Sequence, residues 1–249
     1  MGLKEFLNTD ISDLFKKKSD IPTGSTDKGY LSDMPVCKAD VCGNIDGLNH
    51  IDVLTVADCH GSLMQREIGD AYLHSEAEDP FEHPWVVFLL GDNTYSDIET
   101  VLSYIPTRIP VFGILGNHDS KKLYDDFDRI HCLDGTTEDW NGFDLGGLSG
   151  SIRYKEGYDD YALISDEESI EKMDKLPSCD ILITHDKPCF TDKVNVDFAH
   201  SGLMGIGKYI KDFKTKIVLH GHLHDRSIVK YKETYIKCCY RVERFLIHI

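Results

Sequence analysis

Five short polar motifs, each directly after a short apolar run, follow one another along the chain: Asp58-Cys59-His60, Gly91-Asp92-Asn93, Gly116-Asn117-His118-Asp119, Thr184-His185 and Gly221-His222-Leu223-His224. Among them Asp58, Asp92, Asn117, His60, His185, His222 and His224 offer two carboxylates, one amide oxygen and four imidazoles. These nitrogen and oxygen donors suit divalent cations, and their number suits two ions sharing a bridge. Two such ions lower the pKa of a bridging water, bind phosphoryl oxygens and orient an ester for in-line attack by the resulting hydroxide. Asp58 and His60 stand two apart, where a turn aims both side chains at one point. Asp92 follows a glycine that lets the backbone turn tightly, which frees its carboxylate to bridge. Asn117 ligates without adding charge, and His118 beside it supplies a titratable group that is not itself a ligand. A lone histidine at a strand end is more often a packing residue, and His50, His74, His83, His131, His200 and His248 are read that way. The conjunction of all five motifs is what points to a site.

The elements that must position these residues can be read from the apolar pattern. The runs at 51–57, 86–90, 111–115, 181–183 and 217–219 are short and rich in β-branched residues, as expected of strands buried on both faces. Helix starts follow them. Ser62 with Gln65 and Ser96 with Glu99 read as capping boxes, and Ser120 as the N-cap of a helix over 121–129. Ser165 with Glu168 opens a helix with Glu168/Lys172 and Glu171/Lys175 pairs that ends near Pro177. Strands alternating with helices predict an α/β fold with largely parallel pairing, in which ligands bind outside the carboxyl ends of the strands. All five motifs fall there. The glycine-rich stretch 139–161 reads as hairpins and, with 227–235 and 240–249, predicts a second sheet packed on the first. Residues 202–208 match the spacing of a phosphate-binding P-loop, but Tyr209 replaces the Ser or Thr and no apolar strand precedes, so a helix start is the reading.

At 249 residues, 41% hydrophobic and 28% charged, the composition is that of an ordinary globular protein. One domain is predicted over 48–249, preceded by an arm over 1–47. In the arm Leu3, Phe6, Leu7, Ile11, Leu14 and Phe15 form the stripe of an amphipathic helix that docks on the domain. A net charge of −16 argues against stable nucleic-acid binding through a basic face. No run of about 18 apolar residues occurs, and no basic-then-apolar leader, so no membrane span and a cytoplasmic location are expected. The eight cysteines are then reduced thiols, and Cys37, Cys42, Cys238 and Cys239 have the wrong spacing for a zinc knuckle.

The motif series resembles that of the calcineurin-like metallophosphoesterases, in identity and order, over roughly residues 50–240. The resemblance implies a sandwich of two packed mixed β-sheets flanked by α-helices. It implies two divalent metal ions, the first held by Asp58, His60, Asp92 and His224 and the second by Asp92, Asn117, His185 and His222, with His118 as the catalytic histidine. Manganese is expected; iron, zinc and nickel suit the same ligands. Protein phosphatases of this pattern carry Gly-Asp-x-x-Asp-Arg and Gly-Asn-His-Glu, whereas here Tyr95 and Ser96 take the Asp and Arg positions and Asp119 replaces Glu. That argues against a Ser/Thr protein phosphatase. It also removes the usual carboxylate partner of His118, for which Asp97 or Asp119 are the candidate replacements. Residues 146–150 and 200–210 look like those of small phosphodiesterase-type members. The expected activity is therefore hydrolysis of a phosphomonoester or phosphodiester of a small molecule or nucleotide. A nuclease on the same metal site and a catalytically silent scaffold are the rivals. The acidic balance opposes the first and the complete ligand set the second, while oligomeric state is not legible.

Overall fold

The computed structural model describes residues 50–73, 86–191, 193, 197–212 and 214–248. The predicted arm helix, Cys37, Cys42, His74 and His83 lie outside the described residues. Sequence runs become β1 (His50–Ala57), β2 (Val86–Leu90), β3 (Val111–Ile114), β9 (Ile181–Thr184) and β10 (Ile217–His220), close to their predicted bounds. Between and after them come α1 (Gln65–Leu73), α2 (Tyr95–Tyr104), β4 (Ile130–Cys132), β5 (Thr137–Trp140), β6 (Phe143–Leu148), β7 (Ser151–Ile152), β8 (Leu163–Ile164), α3 (Asp166–Lys175) and α4 (Met204–Lys211), and at the end β11 (Ile228–Tyr231), β12 (Thr234–Cys238) and β13 (Arg241–His248).

One sheet runs β13-β1-β2-β3-β4 and the other β11-β12-β10-β9-β6-β5, with β7 and β8 as a separate pair. β1, β2 and β3 are mutually parallel, as are β6, β9 and β10. Both faces of these strands are apolar because both are covered. Val53, Phe88, Phe112 and Ile114 meet Leu145, Ile181, Ile183 and Leu219 between the sheets. Leu54, Val56, Val87 and Leu89 pack outward on Ile68, Ile98 and Val101 of α1 and α2, and Leu182 and Val218 pack outward on Met173, Ile206 and Ile210 of α3 and α4. Each such fully buried side chain contributes roughly 1.5–3 kcal/mol, so the central strands hold the frame on which the loops are mounted. The result is the α/β/β/α sandwich of two mixed sheets. Among the described residues no helix is long and apolar enough to cross a membrane.

Several local expectations are corrected. β13 is not in the second sheet: it lies antiparallel to β1, with Val53 opposite Phe245 and Ala57 opposite Arg241. Its placement is fixed by Phe245 and Ile247 in the central core and by Arg244, which grips the buried Asp52 carboxylate at 2.9 and 2.7 Å. Residues 121–129 form successive three-residue turns rather than a helix, with Leu123, Asp125, Phe127 and Ile130 N–H groups donating three residues back. Three aspartates in that stretch compete with helical bonding, and the Arg129 guanidinium is drawn to the carbonyls of Leu102, Ile105 and Pro106. Thr94 and Asp97, not Ser96 and Glu99, form the capping box of α2. Ser62 does not cap α1: its hydroxyl donates to the Cys59 carbonyl at 2.6 Å and accepts from Arg241.

The Ser165/Glu168 box and the Glu171/Lys175 pair at 2.7 Å stand as predicted. Lys172, however, reaches Asp134 at 2.8 Å, while Glu168 takes Arg153. In 139–161 there is one hairpin, β5–β6, turning on Asn141 and Gly142 at φ 52° and 81°, and β7 pairs with β8 in parallel. The P-loop look-alike is the start of α4, and its Lys208 is paired with Asp174.

Candidate metal centre

The five motifs leave the carboxyl ends of β1, β2, β3, β9 and β10, and backbone bonds lace the loops together. The Asp58 N–H donates to the Gly91 carbonyl, the His60 N–H to that of Asp92, and the Gly221 N–H to that of His185, each at 3.1 Å. Asp58, His60, Asp92, His222 and His224 all adopt left-handed backbone, at φ 54°, 48°, 54°, 68° and 51°. Such conformations are uncommon outside glycine and persist where the surroundings impose them, typically at functional sites. Gly116 is required by close approach: a Cβ there would stand 2.1 Å from Asp92 Oδ1 and 2.4 Å from the Asp92 nitrogen.

Two groups of donors result. Ligand atoms of Asp58, His60 and His224 lie within 4.8 Å of one another, and so do those of Asp58, Asp92 and His185. His60 Nε2 and His224 Nε2 are 3.4 Å apart, with Asp58 Oδ1 3.6 Å from the latter. Asp92 Oδ2 stands between the groups, 3.7 Å from His60 Nε2 and 3.6 Å from His185 Nε2. Asn117 Oδ1 is 2.9 Å from His185 Nε2, and Tyr154, whose hydroxyl accepts from Asn117 Nδ2 at 3.4 Å, holds the amide oxygen toward that histidine. His222 lies outside both groups; its Nε2 donates to the Ala199 carbonyl at 2.9 Å, which leaves Nδ1 as its ligand atom, and its ring is 5.0 Å from that of His185.

The protonation states suit cation binding. Burial holds the His185 imidazole down at about 4 and lowers His224, so both offer lone pairs. Burial, then the Asp92 charge, pushes Asp58 up to about 8, and the same two causes hold Asp119 well above the usual carboxylate range. Asp92 stays below its ordinary value because His185, the His118 N–H and the His118 and His60 rings outweigh its burial. Three crowded carboxylates are a liability that positive charge relieves. Asp58 Oδ1, buried and without a hydrogen-bond partner, points to the same need, because such an atom in a native site requires a counterpart. The donor set therefore fits divalent cations.

His118 donates its backbone N–H to Asp92 Oδ1 at 2.8 Å, and its ring stands edge-on to His60 with centroids 5.3 Å apart. Neither candidate carboxylate supports the ring. Asp97 is engaged by the N–H groups of Gly61, Leu63 and Thr94 and by the Thr94 hydroxyl. Asp119 accepts from the N–H groups of Asp92 and Gly116 at 2.7 and 2.8 Å. Asp97 thus ties the His60 loop to α2, and Asp119 ties the second motif to the third. Replacing Asp119 by alanine is expected to weaken metal affinity by about 10–100-fold while the fold persists, measurable by competition with a fluorescent chelator.

His131, read from the sequence as a packing residue, is half-exposed and paired with Glu138 at 2.9 Å, and it belongs to neither donor group. His200 was read the same way, but it lines a cleft of about 240 Å³ with His60, Asp92, His118, His222, Leu223 and His224. His220 carries no polar-motif signal, because it lies inside an apolar run. It is fully buried, held down to about 3 by that burial, and bonds the Gly221 carbonyl at 3.0 Å beneath the last motif. Cys238 and Cys239 are buried free thiols, and among the described residues no thiol enters a metal-binding group.

The sequence model of the calcineurin-like phosphoesterases matches residues 51–226. The chain belongs to that family. It is accordingly a metal-dependent hydrolase of phosphoric esters, from a family that typically binds two divalent metals. No curated protein sequence matches this phosphoesterase. Among solved structures it is similar to the phosphopantetheinyl hydrolase of Mycobacterium tuberculosis, at 13% identity and a TM-score of 0.53, covering 78% of this chain and 90% of that one. It is also similar to TT1561 of Thermus thermophilus, at 12% identity and a TM-score of 0.52, covering 78% and 98%. A third is a putative 5'-nucleotidase from Staphylococcus aureus, at 14% identity and a TM-score of 0.50, covering 79% and 50%. At these identities the likeness concerns the fold alone.

Proposed function

We propose that this phosphoesterase hydrolyses a phosphomonoester or phosphodiester of a small molecule or nucleotide, using two divalent cations held by Asp58, His60, Asp92, Asn117, His185, His222 and His224. The reading is carried by Asp92 Oδ2, which stands 3.7 Å from His60 Nε2 of one donor group and 3.6 Å from His185 Nε2 of the other. Manganese is the proposed metal, since the donors are nitrogen and oxygen and no thiolate joins them. When bound, the pair supplies Lewis acidity, activating water and neutralising phosphoryl charge.

The chain's own residues do the rest. Asp92 bridges, with its second oxygen fixed by the His118 N–H. Asp58 presents its unpartnered Oδ1, while Oδ2 is anchored by the His222 N–H at 2.9 Å. The His118 ring, in the cleft but outside both donor groups, gives a proton to the leaving oxygen so that it departs as an alcohol. Where protein phosphatases place an arginine, Ser96 bonds Thr94, and exposed Tyr95 packs on Phe127 with the rings tilted by 41° and centroids 4.6 Å apart. That absence and the small cleft favour a small substrate, and the net charge of −16 disfavours nucleic acid. A reducing, cytoplasmic setting suits the free thiols.

The test is hydrolysis of an aryl phosphate monoester and the matching diester by manganese-loaded protein, with Asp92→Ala as the blank. Turnover well above the blank on at least one ester is expected. Equal rates for wild type and variant would overturn the reading.

A further inference from the structure

His200 lines the cleft from the 3-10 turn Phe198–His200. The turn is docked on the site at two points. The Ala199 carbonyl accepts from His222 Nε2 at 2.9 Å, and the His200 ring lies 5.0 Å from the His222 ring, tilted by 36°. His200 Nδ1 is engaged by Asp197 Oδ2 at 2.6 Å, and Asp197 Oδ1 accepts from the Ala199 N–H, so one carboxylate both closes the turn and fixes the imidazole. That leaves Nε2, which has no protein partner among the described residues. The ring lines the cleft and belongs to neither donor group. His118, against His60, lines the same cleft. Two imidazoles outside the donor groups therefore face it beside the ligand candidates.

We propose that His200 is a substrate-binding residue whose Nε2 hydrogen-bonds a phosphoryl oxygen of the bound ester, with Asp197 as the residue that positions it. With Nδ1 held by the Asp197 carboxylate, Nε2 is the ring atom left to meet a ligand in the cleft. The inference rests on the phosphoesterase reading above.

The probe is inorganic phosphate, titrated calorimetrically into manganese-loaded wild type, His200→Ala and Asp197→Asn, alongside metal analysis and kinetics on an aryl phosphate monoester. Loss of one charge-assisted hydrogen bond predicts phosphate binding and KM weakened about tenfold in His200→Ala, less in Asp197→Asn, with metal content unchanged and kcat less affected. Unaltered phosphate affinity in His200→Ala would overturn the proposal. So would a fall in metal content that accounts for the whole effect, since His200 would then act only through His222. Phosphate binding that needs His200 in a protein that cleaves neither ester would sink the assigned activity and leave this contact standing.

Discussion

Asp92→Asn is expected to lower turnover by a factor on the order of 10³ or more, and at the same time to abolish the rise in melting temperature that manganese gives the wild type. The first effect follows from what the carboxylate does. Its Oδ2 lies between His60 and His185, and an amide there keeps the shape and the acceptor for the His118 N–H but loses the charge that holds two cations together. Metal centres supply several kcal/mol of transition-state stabilisation, and each 1.36 kcal/mol is tenfold in rate. The second effect follows from the same loss. Asp58, Asp92 and Asp119 are all buried, and Asp92 raises the pKa of both neighbours, a crowding that bound cations relieve in the wild type. Scanning calorimetry should show the melting temperature of the wild type rising in manganese over chelator and that of the variant unchanged. Wild-type stabilisation of the variant by manganese would reject Asp92 as a bridge.

The same electrostatics explain why so much of this centre was legible in the sequence. A ligand set mounted on parallel strands needs only that each strand be recognisable and that its polar motif follow at once. The runs ending at Ala57, Leu90, Ile114, Thr184 and His220 meet both conditions, because strands covered on two faces read as continuous apolar segments. What failed was information carried between segments. β13 alternates like any outer strand, and what assigns it to β1 is non-local: Phe245 and Ile247 in the central core and the Arg244–Asp52 grip, linking positions 192 residues apart. The α2 cap lies at Thr94 and Asp97 because Asp97 also receives the N–H groups of Gly61 and Leu63, which a local capping pattern cannot show. His200 was lost for the same reason: a histidine on a 3-10 turn has no periodic signature, and its meaning comes from His222 beside it.

Removing the His118 ring should cost turnover without costing metal, by about 10²–10⁴-fold if the ring is the general acid. His118→Ala is a clean excision on structural grounds. The backbone N–H that fixes Asp92 Oδ1 survives in alanine, and among the described residues no carboxylate hydrogen-bonds the ring, so no buried partner is orphaned. The lack of such a partner also shapes the outcome. Without a carboxylate to orient it, the ring is held by contact with His60 and by the cleft wall, and burial depresses its basicity, opposed by the Asp92 charge. A proton donor of that kind matters most when the leaving oxygen is basic. The deficit should therefore be large for an alkyl phosphate and small for a nitrophenyl phosphate, whose leaving group departs unassisted. Kinetics on the two esters, with metal analysis of the same preparations, measure this directly. Full activity of His118→Ala toward the alkyl ester would remove His118 from the chemistry and leave the donor groups to act without a general acid.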